Sequence, residues 1–479
     1  MGRRGRRRRK ATAWGNCLHW ETMSTDETKN LEALRARIEA DRPAIWSDLS
    51  QITSFNSVHS VPECAEDHAK ACAWVVDSMK KVGLEVTEYP YEGGATTVIG
   101  TKPAVGDAPT VLLYSHYDVV PAGDPANWTA DPFTLTERDG RWYARGAADC
   151  KGNLVMHFAA LRAINEAGGT DLGIKFLVEG SEEQGGAELT ALIEKQPELF
   201  DTDVILIADS GNAAVGQPTL TTTLRGGAQL TVTLNTLKAA VHSGSFGGAA
   251  PDAVAALVRL LDTLRDEHGR TQIDGVDCTA KWEGAQYDPA TFREDAGMLD
   301  GTEIMGTADD NPADMVWARP AVSITGFTST PVDKAVNAVP ATASARLNLR
   351  VPPGMDAATV ASALEAHLRA HVPWGAHIDV LVEDINDPFT ADITGPAMQE
   401  FAACLRAAYR DKELTIIGSG GSIPLCAELL EAVPGAELAL FGVEEPQSTI
   451  HSPDESVDPR EIVDIAVAEA SFLLNFARS

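Results

Sequence analysis

A short apolar run, Leu112-Leu113-Tyr114-Ser115, ends on His116, and Asp118 stands two residues later. Residues two apart on a strand point to the same side, so the imidazole and the carboxylate share a face. That is the arrangement of a metal ligand whose ring is oriented by a hydrogen-bonded partner. Alone the pair says little, because a histidine ending a strand is more often simply packed or hydrogen-bonded. The arrangement recurs, however. Asp149 follows Arg145-Gly146-Ala147-Ala148, and Glu182 and Glu183 follow the run 173–179. Asp209 follows the run 203–208, and His451 follows 437–443 and a loop.

Each of these residues has an ordinary structural reading on its own. Asp149 reads as a helix N-cap, Glu182-Glu183 as a solvated pair opening a helix, Asp209 as a turn residue and His451 as a surface histidine. Jointly they offer imidazole and carboxylate donors with no thiolate set, which suits zinc, cobalt or manganese. Two divalent cations would meet the negative charges of Asp149, Glu183 and Asp209, with a hydroxide completing neutrality. Such ions lower the pKa of bound water to about 7.

The elements that must position these residues are legible in the periodicity. Short apolar runs at 110–115, 173–179, 203–208 and 437–443 read as buried strands. Helical patterns lie at 62–82, 153–166, 185–195 and 396–409, giving an α/β domain with a mostly parallel sheet flanked by helices. In such a sheet ligands collect at the carboxyl ends of the strands, where the donors above would stand. The middle of the chain reads differently. Strands at 229–234, 321–327, 343–351 and 377–382 with helices at 253–265 and 357–370 give the order β-α-β-β-α-β, a ferredoxin-like α+β pattern. The expected division is a basic leader at 1–23, a first catalytic part at 24–222, an inserted lid and dimerisation domain at 223–384 and a second catalytic part at 385–479. Residues 278–315 read as an excursion within the insert. His157 reads as a core histidine, and His367, His371 and His377 as surface residues.

At 479 residues, with 44% hydrophobic and 23% charged, the chain is globular and long enough for two cores. A formal charge of −30 argues against nucleic acid or a membrane surface as partner. Seven unpaired-looking cysteines point to reduced, cytoplasmic thiols. The leader Arg3-Arg4-Gly5-Arg6-Arg7-Arg8-Arg9-Lys10 has no apolar segment after it, which excludes an export signal. Met23, before Ser24-Thr25-Asp26-Glu27, reads as a natural start. No G-x-S-x-G elbow and no HExxH is present, which disfavours a serine hydrolase and a single-zinc peptidase.

Ser115-His116-Tyr117-Asp118-Val119-Val120-Pro121, Asp149-Cys150-Lys151-Gly152, Glu182-Glu183 and His451-Ser452 together resemble the co-catalytic zinc aminoacylase, dipeptidase and desuccinylase family. The closest likeness is to its carnosine-dipeptidase-like branch, and it spans nearly the whole chain after residue 24. The resemblance implies two divalent ions, foremost zinc, with manganese or cobalt as alternatives. Asp149 would bridge them, His116 and Asp209 would complete one ion's ligands, and Glu183 and His451 the other's. Asp118 would orient His116, and Glu182 would be the general base. His242, in Val241-His242-Ser243-Gly244, resembles the histidine that stabilises the oxyanion, often in a partner subunit's site. Asn337, Arg350, Gly421 and Ser422 match positions that contact substrate and its carboxylate. The activity implied is hydrolysis of dipeptides or short peptides with a free carboxylate, by a homodimer joined through the insert. The alternative is an N-acyl amino acid amidohydrolase. The acidic loop 442–450 matches no substrate class.

Overall fold

The structure, a computed structural model, describes residues 25–421 and 423–476. The basic leader and Ser422 therefore lie outside the described residues. The main sheet has nine strands. Its spatial order is Glu85–Pro90, Thr96–Lys102, Gly173–Glu179, Thr110–His116, Val204–Ala208, Glu437–Phe441, Thr219–Leu224 and Phe389–Thr390, with Thr415–Ser419 also paired to Thr219–Leu224. The four strands that precede the candidate ligands are mutually parallel and lie side by side. Their carboxyl ends, and so His116, Glu182, Glu183, Asp209 and the loop to His451, share one edge of the sheet.

Apolar residues on both faces of these strands bury against helices, as continuous apolar runs demand. Lys151–Glu166 packs on Pro459–Asn475, which also carries Thr25–Ala40 and Pro396–Ala408. His157 is fully buried in that layer, where Nδ1 meets Glu469 at 2.7 Å, in agreement with a core role.

A second, four-stranded antiparallel sheet is formed by Ala321–Thr328, Thr342–Val351, Gly226–Asn235 and His377–Asn386, in that order. The helices Ala253–Asp262 and Ala357–Ala370 cover it, closing a separate core around Leu230, Leu257, Leu347 and Leu364. Chain order and strand order are those of the ferredoxin-like pattern.

Several boundaries differ from the sequence expectation for local reasons. The helix expected from residue 62 begins as a single 3-10 turn, Pro62–Cys64, before Ala65–Lys81. Proline suits a first turn because the N–H it lacks would be unpaired there. The helix expected from 185 starts at Ala187, because Gly185 and Gly186 adopt φ of 94° and 61°. His367 is buried rather than at the surface. It lies on the stripe of Ala357–Ala370 that carries Val360 and Leu364, with Nε2 3.0 Å from Thr263 Oγ1. The excursion is folded: Pro289–Asp295 is helical, and Tyr287 stacks on Trp317 with ring centroids 5.5 Å apart. Among the described residues, no helix is long and apolar enough to cross a membrane.

Candidate metal centre

The centre is built around one carboxylate. Asp149 Oδ1 lies 3.2 Å from His116 Nε2, and Asp149 Oδ2 lies 3.0 Å from His451 Nε2. His116 Nε2 is also 3.2 Å from Asp209 Oδ1, and His451 Nε2 is 3.1 Å from Glu183 Oε2. Two donor sets therefore share Asp149, one oxygen each. The separations match the edge of a tetrahedron of donors around zinc, about 3.3 Å for bonds of about 2.0 Å.

Strand ends and tight turns hold these groups. His116 ends its strand with its ring fully buried. Nδ1 lies 3.2 Å from Asp118 Oδ1, which leaves Nε2 to face Asp149. Asp118 also accepts from the backbone N–H groups of Glu182 and Glu183, at 3.2 and 3.1 Å. One carboxylate thus fixes both the imidazole and the turn Glu182–Gln184. His451 takes a left-handed backbone, φ 61°, so a non-glycine conformation of low population is held where the side chain meets Asp149 and Glu183.

The electrostatics ask for cations. Burial pushes Asp149 up, but the hydrogen bonds to His116 and His451 win and hold its carboxyl well below the usual range. Hydrogen bonds that Asp149 and Glu183 accept from Nε2 raise His451 to about 11. Burial lowers His116, yet surrounding negative charge raises it well above its ordinary value. Burial and the charge of Asp149 push Glu183 up to about 7, and its Oε1 is buried with no hydrogen-bond partner. Two raised histidines and several carboxylates thus crowd one buried spot, where one carboxylate oxygen has no hydrogen-bond partner. The donors present fit divalent ions. Cys150 lies within reach of His116 and Asp209, but burial raises its thiol to about 12 and Sγ donates to Ala208 O at 3.1 Å. It is a packed thiol, not a donor.

A cavity of about 760 Å³ opens over the centre. Arg350 and Gly421 line it together with Asp149, Glu182, Glu183, Asp209 and His451. His242 and Asn337 do not line it. His242 lies on a two-stranded ribbon, paired with Ala338, and Asn337 directly precedes that partner strand, its carbonyl accepting from Ser243 N at 2.9 Å. His242 is exposed.

Two functional groups escaped the sequence reading. Glu455 is 1% exposed and accepts from the N–H groups of Gly146, Ala148 and Asp149 at 2.9, 3.0 and 3.1 Å. It also meets Arg145 Nη1 at 2.6 Å, so it clamps the loop that presents Asp149. Its only signal was a second acid four residues after His451. Glu444 lies within ligand distance of Asp149 and Asp209, and Asn153 Nδ2 donates to it at 3.4 Å. Burial and the charges of Asp149 and Asp209 raise it well above its ordinary value. Its signal was the acid pair in loop 442–450.

A parallel sheet whose carboxyl edge carries two donor sets sharing one aspartate defines a metal-dependent hydrolase. The sequence pattern of peptidase family M20/M25/M40 matches residues 112–475, and the chain belongs to that family. It is a metallopeptidase that takes divalent ions. It is 55% identical over 457 residues, 95% of this chain and 100% of the relative, to a cysteinylglycine-S-conjugate dipeptidase of Corynebacterium striatum. Human Beta-Ala-His dipeptidase is 25% identical over 456 residues, 88% of each chain. The crystal structure of human carnosine dipeptidase 1 shares the fold at a TM-score of 0.80 and 24% identity, over 94% of this chain and 99% of that one.

Proposed function

We propose that the chain is a di-zinc dipeptidase acting on dipeptides with a free carboxylate, S-substituted cysteinylglycine among them. The observation that carries this reading is Asp149 shared between the His116–Asp209 and Glu183–His451 pairs. The substrate class follows from the Corynebacterium striatum relative, which matches along its whole length.

Divalent ions held by His116, Asp149, Glu183, Asp209 and His451 would supply Lewis acidity there, lowering the pKa of water to about 7 and polarising the scissile carbonyl. Glu182 is the general base. Without ions, burial and the Asp209 charge raise its carboxyl; cations beside it would lower it and keep it ionised, ready to take a proton from water and pass it to the leaving amine. Asp118 keeps the His116 tautomer and the Glu182–Gln184 turn in place. Arg350 and the backbone at Gly421 hold the carboxylate. Glu444 is a surplus carboxylate beside both donor sets, suited to the ammonium of a dipeptide, and this favours a free amine over an N-acyl group.

His242 and Asn337 lie off the cavity, which supports a homodimer in which a second copy supplies them. In this reading residues 223–384 form the lid and dimer domain, with 24–222 and 385–479 as the catalytic parts. Cys64, Cys72, Cys150, Cys404 and Cys426 are buried, in keeping with a reduced, cytoplasmic setting. The test is glycine release from cysteinylglycine, S-benzyl-cysteinylglycine and alanyl-glycine by zinc- or manganese-loaded protein. Bound metal with no turnover of any of them would refute the reading. Sedimentation showing a fully active monomer would remove the dimer.

A further inference from the structure

Residues 278–315 lie between the helix Ala253–Asp262 and the strand Ala321–Thr328, and the metal centre does not account for them. The segment carries a cluster of rings that closes on Trp317. Tyr287 stacks on Trp317 with centroids 5.5 Å apart and planes 15° from parallel. Trp282 backs Trp317 edge-on at 5.3 Å, and Phe292 backs Tyr287 at 5.2 Å. Polar contacts fix the rings in place. Asn311 holds the Tyr287 backbone from both sides, Oδ1 accepting from its N–H and Nδ2 donating to its carbonyl, each at 3.0 Å. Tyr287 Oη donates to Asp295 Oδ2 at 2.7 Å. Asp314 accepts from Trp282 N at 2.8 Å and from Asn311 N at 2.9 Å. Beside Trp317 runs the strand Thr415–Ser419 of the main sheet. A Cβ on Gly418 would stand 2.9 Å from Trp317 Cγ, so glycine there lets the indole lie close to the strand.

A ring cluster of this kind is commonly just the packing of a long loop. Two of these rings face elsewhere as well. Tyr287 and Trp317 are only half-buried, and both line the cavity over the metal centre, together with Ile417, Ile423 and Ile450. Apolar surface kept in a concave site beside a few polar groups marks a ligand contact. At about 760 Å³ the cavity has the size of pockets that take drug-sized ligands, roomier than a dipeptide with a methyl side chain needs. Aromatic rings attract apolar groups and pack favourably against thioether sulfur.

We propose that Tyr287 and Trp317 form an aromatic wall that receives the apolar S-substituent of an S-conjugated cysteinyl dipeptide, and so selects such conjugates over bare dipeptides. The proposal rests on the dipeptidase reading for its reaction, and its test separates the two. The wall acts in binding, and no bond forms or breaks on it.

The experiment measures kcat/KM of zinc-loaded wild type, Trp317→Ala, Trp317→Phe and Tyr287→Ala on S-benzyl-cysteinylglycine, alanyl-glycine and glycyl-phenylalanine. Removing apolar contact from a pocket predicts a fall of about 10–100-fold on the benzyl conjugate in Trp317→Ala, and a smaller one in Tyr287→Ala. Alanyl-glycine, which has no substituent to place on the wall, should fall by less than about threefold, and its turnover shows that each variant is folded. Trp317→Phe keeps a ring and should lie between. If Trp317→Ala does not fold, Tyr287→Ala carries the same comparison. Equal losses on the benzyl conjugate and alanyl-glycine, or no loss on the conjugate, would overturn the wall. A loss on glycyl-phenylalanine in place of the conjugate would set the rings against the C-terminal side chain and overturn it too.

A second measurement needs no turnover: calorimetric binding of S-benzylcysteine and of alanine. Wild type should bind S-benzylcysteine about tenfold or more tighter than alanine, and Trp317→Ala should lose most of that margin. Such a margin without hydrolysis of any dipeptide would sink the dipeptidase reading and leave the wall standing. An equal margin in wild type and Trp317→Ala would overturn the wall and leave that reading untouched.

Discussion

Replacing Glu455 by Gln attacks the metal centre without touching a ligand. Glu455 Oε1 accepts from Ala148 N and Asp149 N at 3.0 and 3.1 Å, and Oε2 accepts from Gly146 N and Arg145 Nη1 at 2.9 and 2.6 Å. An amide turns one of those oxygens into a donor that faces two donors. It also strips the counter-charge from Arg145, which is 1% exposed. Removing one partner of a buried ion pair costs about 3–5 kcal/mol. Each hydrogen bond lost adds about 1 kcal/mol. Burial already pushes the Glu455 carboxyl up against the pull of Arg145, so neutralising it recovers part of that sum. The expected net loss is about 3–5 kcal/mol, a large share of the roughly 5–15 kcal/mol that holds a domain folded.

The same change frees the Asp149 loop, and loss of such a supporting contact weakens metal binding by about 10–100-fold. Urea unfolding of chelator-stripped protein reads the first effect without the contribution of bound metal, which would otherwise stabilise the fold by mass action. Competition with a chromogenic chelator reads the second. If Glu455→Gln unfolded within about 1 kcal/mol of wild type and kept its metal affinity, the clamp argument would be wrong.

Four further outcomes follow from the geometry. Glu182→Gln should lose about 10²–10⁴-fold in kcat with metal content unchanged, and full activity would remove Glu182 as the base. Gly211→Ala should lower stability by about 1–3 kcal/mol and disturb the Glu444 loop. Its Cβ would stand 2.4 Å from the Glu444 carbonyl oxygen, and an unshifted urea midpoint would contradict that contact. Burial raises Glu461 to about 7, against about 4.3 for an ordinary glutamate, so the fold holds a proton that the unfolded chain releases between those values. That stabilisation is full below the lower value and lost as pH rises through the upper; Glu461→Gln should flatten the slope, and equal slopes would refute it. Chelation should lower the melting temperature as well as activity, since ions bound only by the fold stabilise it by about 2.7 kcal/mol at a hundred times Kd. A melting temperature indifferent to chelator and to added zinc would leave the donor sets without their ions.

The donor types and the strands beneath them were legible in the sequence because both are local. Period-two burial places His116 and Asp118 on one side, and apolar runs locate the edge where Asp149, Glu183, Asp209 and His451 gather. What the chain could not show by itself is which groups meet across hundreds of residues. Asp149 and His451 are 302 positions apart, and Glu455 reaches the Asp149 backbone over 306. Their contact depends on parallel strands bringing separate loops to one edge. Burial is likewise a tertiary property. His367 reads as a surface histidine until the helix stripe turns it inward, and Glu444 reads as loop charge until the sheet sets it beside Asp149 and Asp209.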